Sequence, residues 1–159
     1  MRRTQMLLLV AVVTASVGAG VAWATGGGGI TGGATILARG TLSPHFKLKL
    51  HDSSEPADVV MQHLTFAPNG AGFSGWHTHP GPAIVVVQSG QVTFYESDDP
   101  SCTGTTYTAG QVYVDGGYGH VHYARNEGAT PTDVWVTFFD VPPGTSPRID
   151  APSPGNCPF

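Results

Sequence analysis

From residue 34 onward, hydrophobic and polar positions follow the two-residue period of β-strands. In residues 133–141, the apolar side chains of Val134, Val136 and Phe138 share one face, and the opposite face is also largely apolar. No segment carries the apolar stripe of an amphipathic helix. The pattern therefore predicts an all-β protein.

The predicted strands are short, and they are separated by turn-forming clusters such as SSEP, APNGAG, SDDPS and NEGATPT. The continuous apolar run AIVVV predicts the most central strand. Gly90, in the sequence QSGQ, predicts a tight hairpin between the strands on either side of it. Many short strands at close spacing indicate a sandwich or a barrel. The predicted strands are residues 35–42, 46–51, 58–66, 83–90, 91–96, 105–110, 111–115, 120–126 and 133–141.

The beginning of the chain has the layout of a secretory signal peptide. Residues 1–24 contain two arginines, an apolar run and the small-x-small sequence AWA, so cleavage is expected after Ala24. An uncleaved membrane anchor is the alternative, because the apolar run approaches the length that spans a bilayer. We expect a secreted or extracytoplasmic protein with no membrane association after cleavage.

The sequence after the signal peptide predicts one domain preceded by a short glycine-rich segment. Residues 25–33 are rich in glycine and predict a flexible lead-in. Residues 34–159 then form a single domain, whose proline-rich end after Val141 predicts extended wrapping of the body.

The charge balance excludes some classes of partner. Cleavage leaves 135 of the 159 residues, and it removes two of the seven basic side chains but none of the eleven acidic ones. The formal net charge therefore falls from −4 to −6. An acidic surface with few lysines and arginines argues against nucleic acid or an anionic membrane as a partner.

The chain has two cysteines, Cys102 and Cys157. In an exported protein a single pair predicts a disulfide, and on the chain-entropy model a loop of this length gains about 4 kcal/mol of stability. Metal binding by the thiolates is the alternative, but the spacing matches no zinc pattern.

Two short segments, GWHTHPGP and GHVHYARN, hold four of the seven histidines. On a strand, His77 and His79 would point to the same face with Cα atoms about 6.5 Å apart. Two imidazoles at that separation can share one metal ion at about 2.0–2.1 Å per bond. His120 and His122 repeat the arrangement, so the two pairs together predict a metal site.

The wider segments GAGFSGWHTHPGPAIVVVQSG and GQVYVDGGYGHVHYARN resemble the two motifs of the cupin superfamily. The resemblance implies a jelly-roll β-barrel, also called a double-stranded β-helix, with a metal ion inside. It also implies that the metal is bound by two histidines and a glutamate of the first motif and by one histidine of the second. The matching residues are His77, His79 and His122, the last because Asn126 lies four residues after it.

The chain departs from that pattern at two positions. Ala83 stands where the resemblance implies a glutamate, which leaves three histidines and water around the metal. Gly117 stands where the second motif has a proline, so a looser turn is expected there. Glu96 or Asp115 could supply a substitute carboxylate, and the sequence places neither.

The remaining histidines carry weaker expectations. His120 could be a fourth ligand in place of the glutamate, a residue that orients a ligand, or a solvated residue at the rim. His63 is interpreted as structural, and His45 and His51 as solvated residues near strand ends. Asn126 is interpreted as capping its own turn.

These observations support three hypotheses of function. The first is an exported metal-binding cupin that holds one divalent transition metal (Fe, Zn, Cu, Ni or Mn) and a small organic ligand in a partly aromatic interior. The second is a cupin-type dioxygenase that uses Fe(II) on three histidines. The third is a barrel that binds a ligand or a sugar without metal. The resemblance also allows a homodimer.

Overall fold

The computed structural model describes residues 35–43, 47–50 and 54–159. The predicted signal peptide, the glycine-rich lead-in, His45 and His51 lie outside these residues. Within them, no helix is long and apolar enough to cross a membrane.

The regular elements of the described residues are nine β-strands. Their order and bounds are β1 (Asp58–Phe66), β2 (His77–Thr78), β3 (Ala83–Ser89), β4 (Gln91–Glu96), β5 (Thr105–Thr108), β6 (Val112–Asp115), β7 (His122–Arg125), β8 (Thr132–Val141) and β9 (Ile149–Asp150).

The strands form two sheets that face each other. One has four strands in the order β1-β8-β3-β6, and the other has five in the order β5-β4-β7-β2-β9. Their ladders are antiparallel. The chain changes sheet at every connection except the one from β4 to β5. This connectivity confirms the predicted all-β jelly roll, or double-stranded β-helix.

The core lies between the sheets. The face of β8 formed by Val134, Val136 and Phe138 is buried, while the residues between them are only partly buried. These three side chains pack with Val87 of β3 and Phe94 of β4, so both sheets contribute to one apolar cluster. The two-residue period of the sequence reflects this burial.

The predicted hairpin at Gly90 is wrong. Its backbone does turn sharply, with φ of 72°, but β3 and β4 lie in different sheets. A Cβ atom on Gly90 would lie 2.4 Å from Thr132 Oγ1, at the start of β8. The glycine therefore allows the chain to cross from one sheet to the other beside β8, and does not close a two-stranded ribbon.

The prediction of two strands before β1, at residues 35–42 and 46–51, is also wrong for the residues of these segments that the structure describes. In residues 35–42, Thr41 alone forms an isolated bridge, with Gln111. Residues 47–50 have no strand structure. Ile36 and Leu37 are exposed, so the alternation in this segment has no core to face.

The predicted disulfide between Cys102 and Cys157 is confirmed. Cys157 packs in a small buried cluster with Trp76 and Tyr123. Trp76 directly precedes His77 in the chain, and Tyr123 directly follows His122. The segment between β8 and this disulfide contains β9, which pairs with β2. The bond therefore fixes the end of the chain beside the first histidine segment.

The turn before β7 is tight, where the sequence predicted a loose one. Gly117 has φ of 66°, and a Cβ atom there would lie 2.1 Å from the carbonyl carbon and oxygen of Gly81. The next residue, Tyr118, donates its backbone N–H to the carbonyl of His79 at 3.1 Å. Glycine lets the two histidine segments approach each other at this point.

We therefore expect Gly117→Ala to reduce the free energy of unfolding by about 2 kcal/mol or more, through both the clash and the positive φ. Gly116→Ala is the matched control, because nothing lies within 4 Å of a Cβ atom there. It should change stability by less than about 1 kcal/mol. Urea denaturation measures both, and equal effects of the two variants would contradict the packing described here.

Candidate metal centre

Two of the predicted ligands lie in one row of side chains across the five-stranded sheet. His122 of β7 pairs with His77 of β2 on one side and with Glu96 of β4 on the other. His77 pairs in turn with Asp150 of β9. Residues directly opposite each other in a ladder project from the same face, so this row combines two imidazoles with two carboxylates.

His77, His79 and His122 converge inside the barrel. One potential ligand atom from each lies within 4.8 Å of the others, and the three side chains are buried. The ring centroids are 4.8 Å apart for His77 and His79, 4.5 Å for His77 and His122, and 5.2 Å for His79 and His122. The structure thus brings together the three histidines that the sequence motifs indicated.

Backbone carbonyls orient two of these rings. Nδ1 of His77 donates to the carbonyl of Gly75 at 2.8 Å, and Nδ1 of His79 donates to the carbonyl of Pro147 at 2.7 Å. A carbonyl oxygen only accepts hydrogen bonds, so the proton of each neutral ring lies on Nδ1. In both rings Nε2 keeps its lone pair, and both residues line the interior cavity.

Burial keeps these imidazoles neutral. Burial, with a smaller contribution from the neighbouring His122, lowers the pKa of His77 to about 3 against the opposing hydrogen bond to the Gly75 carbonyl. Burial also lowers the pKa of His79, against the opposing hydrogen bond to Pro147. Both rings are therefore in the form that binds a cation at neutral pH.

Two carboxylates, those of Asp115 and Glu96, lie close to His122 and the neighbouring His120. Oδ1 of the buried Asp115 is 3.5 Å from His122 Nδ1 and accepts a hydrogen bond from His120 Nδ1 at 2.6 Å. Nε2 of His120 is 3.2 Å from Glu96 Oε2. Burial opposes the charge on Asp115, but its contacts with His120 and His122 outweigh burial and lower its pKa.

His120 consequently lies between two carboxylates. Asp115, Glu96 and the hydrogen bonds to them raise the pKa of His120 to about 10, with the Asp115 bond the largest cause. His120 belongs to a second group that could hold an ion, together with Asp115 and His122, and it is not part of the three-histidine group. Its contacts are those of a residue that fixes the Asp115 carboxylate beside His122.

The packing around Ala83 shows why a small residue lies at this position. Ala83 pairs with Asp115 of β6 on one side and with Phe138 of β8 on the other. Asp115 approaches His122, and the Phe138 ring lies 4.9 Å from the His79 ring. Ala83 is 1% exposed, so a longer side chain would compete for space with these neighbours. The carboxylate nearest the histidines therefore comes from the adjacent strand.

The histidines open onto an internal cavity of about 770 Å³. Its walls are mainly apolar side chains from both sheets, and the three histidines and Arg148 are among the polar residues that line it. A pocket of this size and character accommodates a small organic molecule.

The other residues singled out in the sequence have structural roles. His63 is exposed on the outer face, where it contacts Asp133 and the ring of Trp135. Asn126 is fully buried and caps its own turn, as interpreted, by accepting from Gly128 N and donating to Thr130 O. It also donates to Phe66 O of β1.

Two contributors from the C-terminal segment were missed. Pro147 provides the carbonyl that orients His79, and Arg148 lines the cavity. Arg148 is the only basic residue after Val141, which is the one signal in the sequence that could have singled it out. A backbone carbonyl leaves no signal in the side-chain pattern.

The residues present fit a divalent transition metal. Imidazole nitrogens are ligands that such ions accept, and three imidazoles converge here. Nε2 of His77 and His79 forms no hydrogen bond within the described part of the chain, so nothing there competes for their lone pairs. Nδ1 of His122 is buried without a hydrogen-bond partner among the described residues, and Asp115 Oδ1 lies 3.5 Å from it.

No family model matches the chain, and no curated protein matches it in sequence. Among solved structures, a double-stranded β-helix protein from Klebsiella pneumoniae is 25% identical, with a TM-score of 0.45 over 62% of this chain and 75% of that one. The DMSP lyase DddQ from Ruegeria pomeroyi is 15% identical, with a TM-score of 0.49 over 63% of this chain and 46% of the lyase. An oxalate oxidase is 25% identical, with a TM-score of 0.44 over 52% of this chain and 42% of the oxidase. The chain therefore matches less than half the length of these two enzymes.

The surroundings of His120 predict a specific pH dependence of stability in the metal-free protein. Its pKa is about 10 in the folded state, against 6.5 for a free side chain. The folded state therefore binds the His120 proton more tightly than the unfolded state does, which stabilises the fold. This stabilisation is complete below pH 6.5 and is lost as the pH rises towards 10.

His120→Gln should flatten the decline in the free energy of unfolding over this pH range, compared with wild type. Urea denaturation at several pH values gives the two slopes, and the comparison of slopes is independent of any constant loss of stability. Parallel slopes would show that the two carboxylates do not hold the His120 proton.

Proposed function

We propose that this double-stranded β-helix is a cupin-type barrel and that it binds one divalent transition metal ion through Nε2 of His77, His79 and His122. The observation that carries this proposal is the convergence of three buried imidazoles, two of which are neutral because of burial and have Nδ1 hydrogen-bonded to carbonyls. Burial of three imidazoles costs desolvation free energy, which metal coordination would offset.

In this proposal the fourth histidine positions a ligand and does not bind the metal. His120 holds Asp115, and Asp115 in turn faces Nδ1 of His122. A carboxylate in that place would fix the tautomer of His122 and strengthen its lone pair on Nε2. Asp115 would thus orient a ligand, whereas the glutamate that the cupin resemblance implied at Ala83 would bind the metal directly.

The ion would act on a molecule held in the cavity. Three neutral ligands leave its positive charge uncompensated, so it would attract an anionic or polarisable group and acidify a bound water. The apolar walls would exclude bulk water and bind the remainder of the molecule.

We also propose that the protein works outside the cytoplasm. The disulfide between Cys102 and Cys157 is typical of an oxidising compartment, and residues 1–24 have the composition of a signal peptide.

The metal proposal predicts about one bound ion per chain, and it predicts which histidines matter. His77→Ala and His122→Ala should each weaken Zn²⁺ binding by more than about 100-fold, because each removes a direct ligand. Competition with a chromophoric chelator measures the affinity, and elemental analysis measures the stoichiometry.

His63→Ala is the matched control, since His63 is exposed on the outer face and outside the three-histidine group. It should bind Zn²⁺ like wild type. Equal affinities of all three variants, or a wild-type protein that takes up no ion after reconstitution, would refute the proposed site.

An oxygenase is the second candidate. The observation in its favour is that the three histidines line the cavity, so an ion held there would keep open positions towards a bound substrate. Fe(II) is the ion with the redox chemistry for this reaction.

If this candidate is correct, the Fe(II)-loaded protein should consume oxygen with at least one member of a panel of catechols, flavonols, diketones and thiols, measured with an oxygen electrode. His79→Ala should abolish this uptake. An Fe(II)-loaded protein that consumes no oxygen above the free metal with the whole panel would leave a binding protein as the function.

A further inference from the structure

The cavity contains one permanently charged cation among the described residues that line it, the guanidinium of Arg148. This residue lies in the C-terminal segment, directly after Pro147, whose carbonyl orients His79. A Cβ atom on Gly75, whose carbonyl accepts the hydrogen bond of His77 Nδ1, would lie 3.5 Å from a terminal nitrogen of Arg148, which places the guanidinium near the histidine end of the cavity.

Arg148 keeps hydrogen-bonding capacity for a ligand. Its Nε donates to Asp150 Oδ1 at 2.7 Å, and the terminal nitrogens form no hydrogen bond within the described part of the chain. Asp150 is 84% exposed, so water screens much of its charge. A guanidinium with free terminal nitrogens binds a carboxylate in a planar, two-point arrangement.

The cavity walls determine which kind of ligand body the site would favour. Beyond the histidines and Arg148, the interior surface is formed mainly by aliphatic and aromatic side chains from both sheets. They include Val85, Val92, Phe94, Val134, Val136 and Phe138. Such a surface gains free energy by covering an apolar group. The polar side chains of the lining, among them Gln62 and Thr65, are few, so the hydroxyls of a sugar would find few partners.

From this placement we propose that the cavity binds monocarboxylic acids with an apolar body, and that Arg148 holds the carboxylate at the histidine end. This inference rests on the proposed function, because it assigns a ligand class to the same site. It makes Arg148 the residue that distinguishes acids from neutral molecules of the same shape.

The test compares benzoate with benzamide, which has nearly the same shape without the charge, and with acetate, which lacks the apolar body. Isothermal titration calorimetry of the Zn²⁺-loaded protein should show benzoate binding at least about tenfold tighter than either. Arg148→Gln should reduce the preference for benzoate over benzamide, and the same titrations on the metal-free protein separate this effect from the attraction of the ion for anions. Arg39→Gln, which removes an exposed positive charge elsewhere, should retain the preference.

The possible failures are distinguishable. If Zn²⁺ binds but benzoate and benzamide bind alike, or if the Arg148 and Arg39 variants behave alike, the assignment of Arg148 is wrong and the metal proposal stands. If Zn²⁺ does not bind, the metal proposal fails, and the same titrations on the metal-free protein decide the role of Arg148. A preference for benzoate that depends on Arg148 would then support the inference, and its absence would overturn it.

Discussion

Burial of three imidazole rings between two β-sheets is the constraint on which the rest of this structure depends. A buried ring needs a partner for its N–H group and must stay uncharged. The carbonyls of Gly75 and Pro147 meet the first need for His77 and His79, and burial itself meets the second by lowering their pKa. Both proton positions follow from these contacts, so the lone pairs face the cavity. The chemistry proposed for the site depends on that orientation.

The ends of the fold are arranged to maintain this geometry. The disulfide to Cys157 fixes the C-terminal segment beside β2, and that segment supplies Pro147 and Arg148 to the site. On the opposite side, Gly117 allows the second histidine segment to approach the first at a distance that no side chain permits. The polar network of Asp115, His120 and Glu96 then supports His122 from behind. Each histidine is thus held by a different part of the chain.

Local periodicity predicted the strands well where both faces have a defined environment. The strand at 58–66 has the predicted bounds, and β8 buries one of the two largely apolar faces seen in the sequence, that of Val134, Val136 and Phe138. The prediction failed where contacts between distant segments determine which strands pair and in which sheet they lie. Gly90 marks a sharp turn, but no local signal shows that the chain changes sheet there. The segment at 35–42 alternates like a strand and lacks a partner ladder. For the site, the two-residue spacing of His77 and His79 was informative, whereas the same spacing of His120 and His122 did not bring His120 into the three-histidine group. Asp115 and Arg148 could not be placed, since strand pairing and the path of the C-terminal segment bring them there.

The central claim is that three imidazoles form the protein part of a mononuclear metal site, and X-ray absorption spectroscopy of the Zn²⁺-loaded protein tests it most directly. The account predicts a first shell of light atoms at about 2.0–2.1 Å, and outer-shell scattering that fits three imidazole rings. A shell that requires sulfur, or one that fits fewer than two imidazoles, would contradict it.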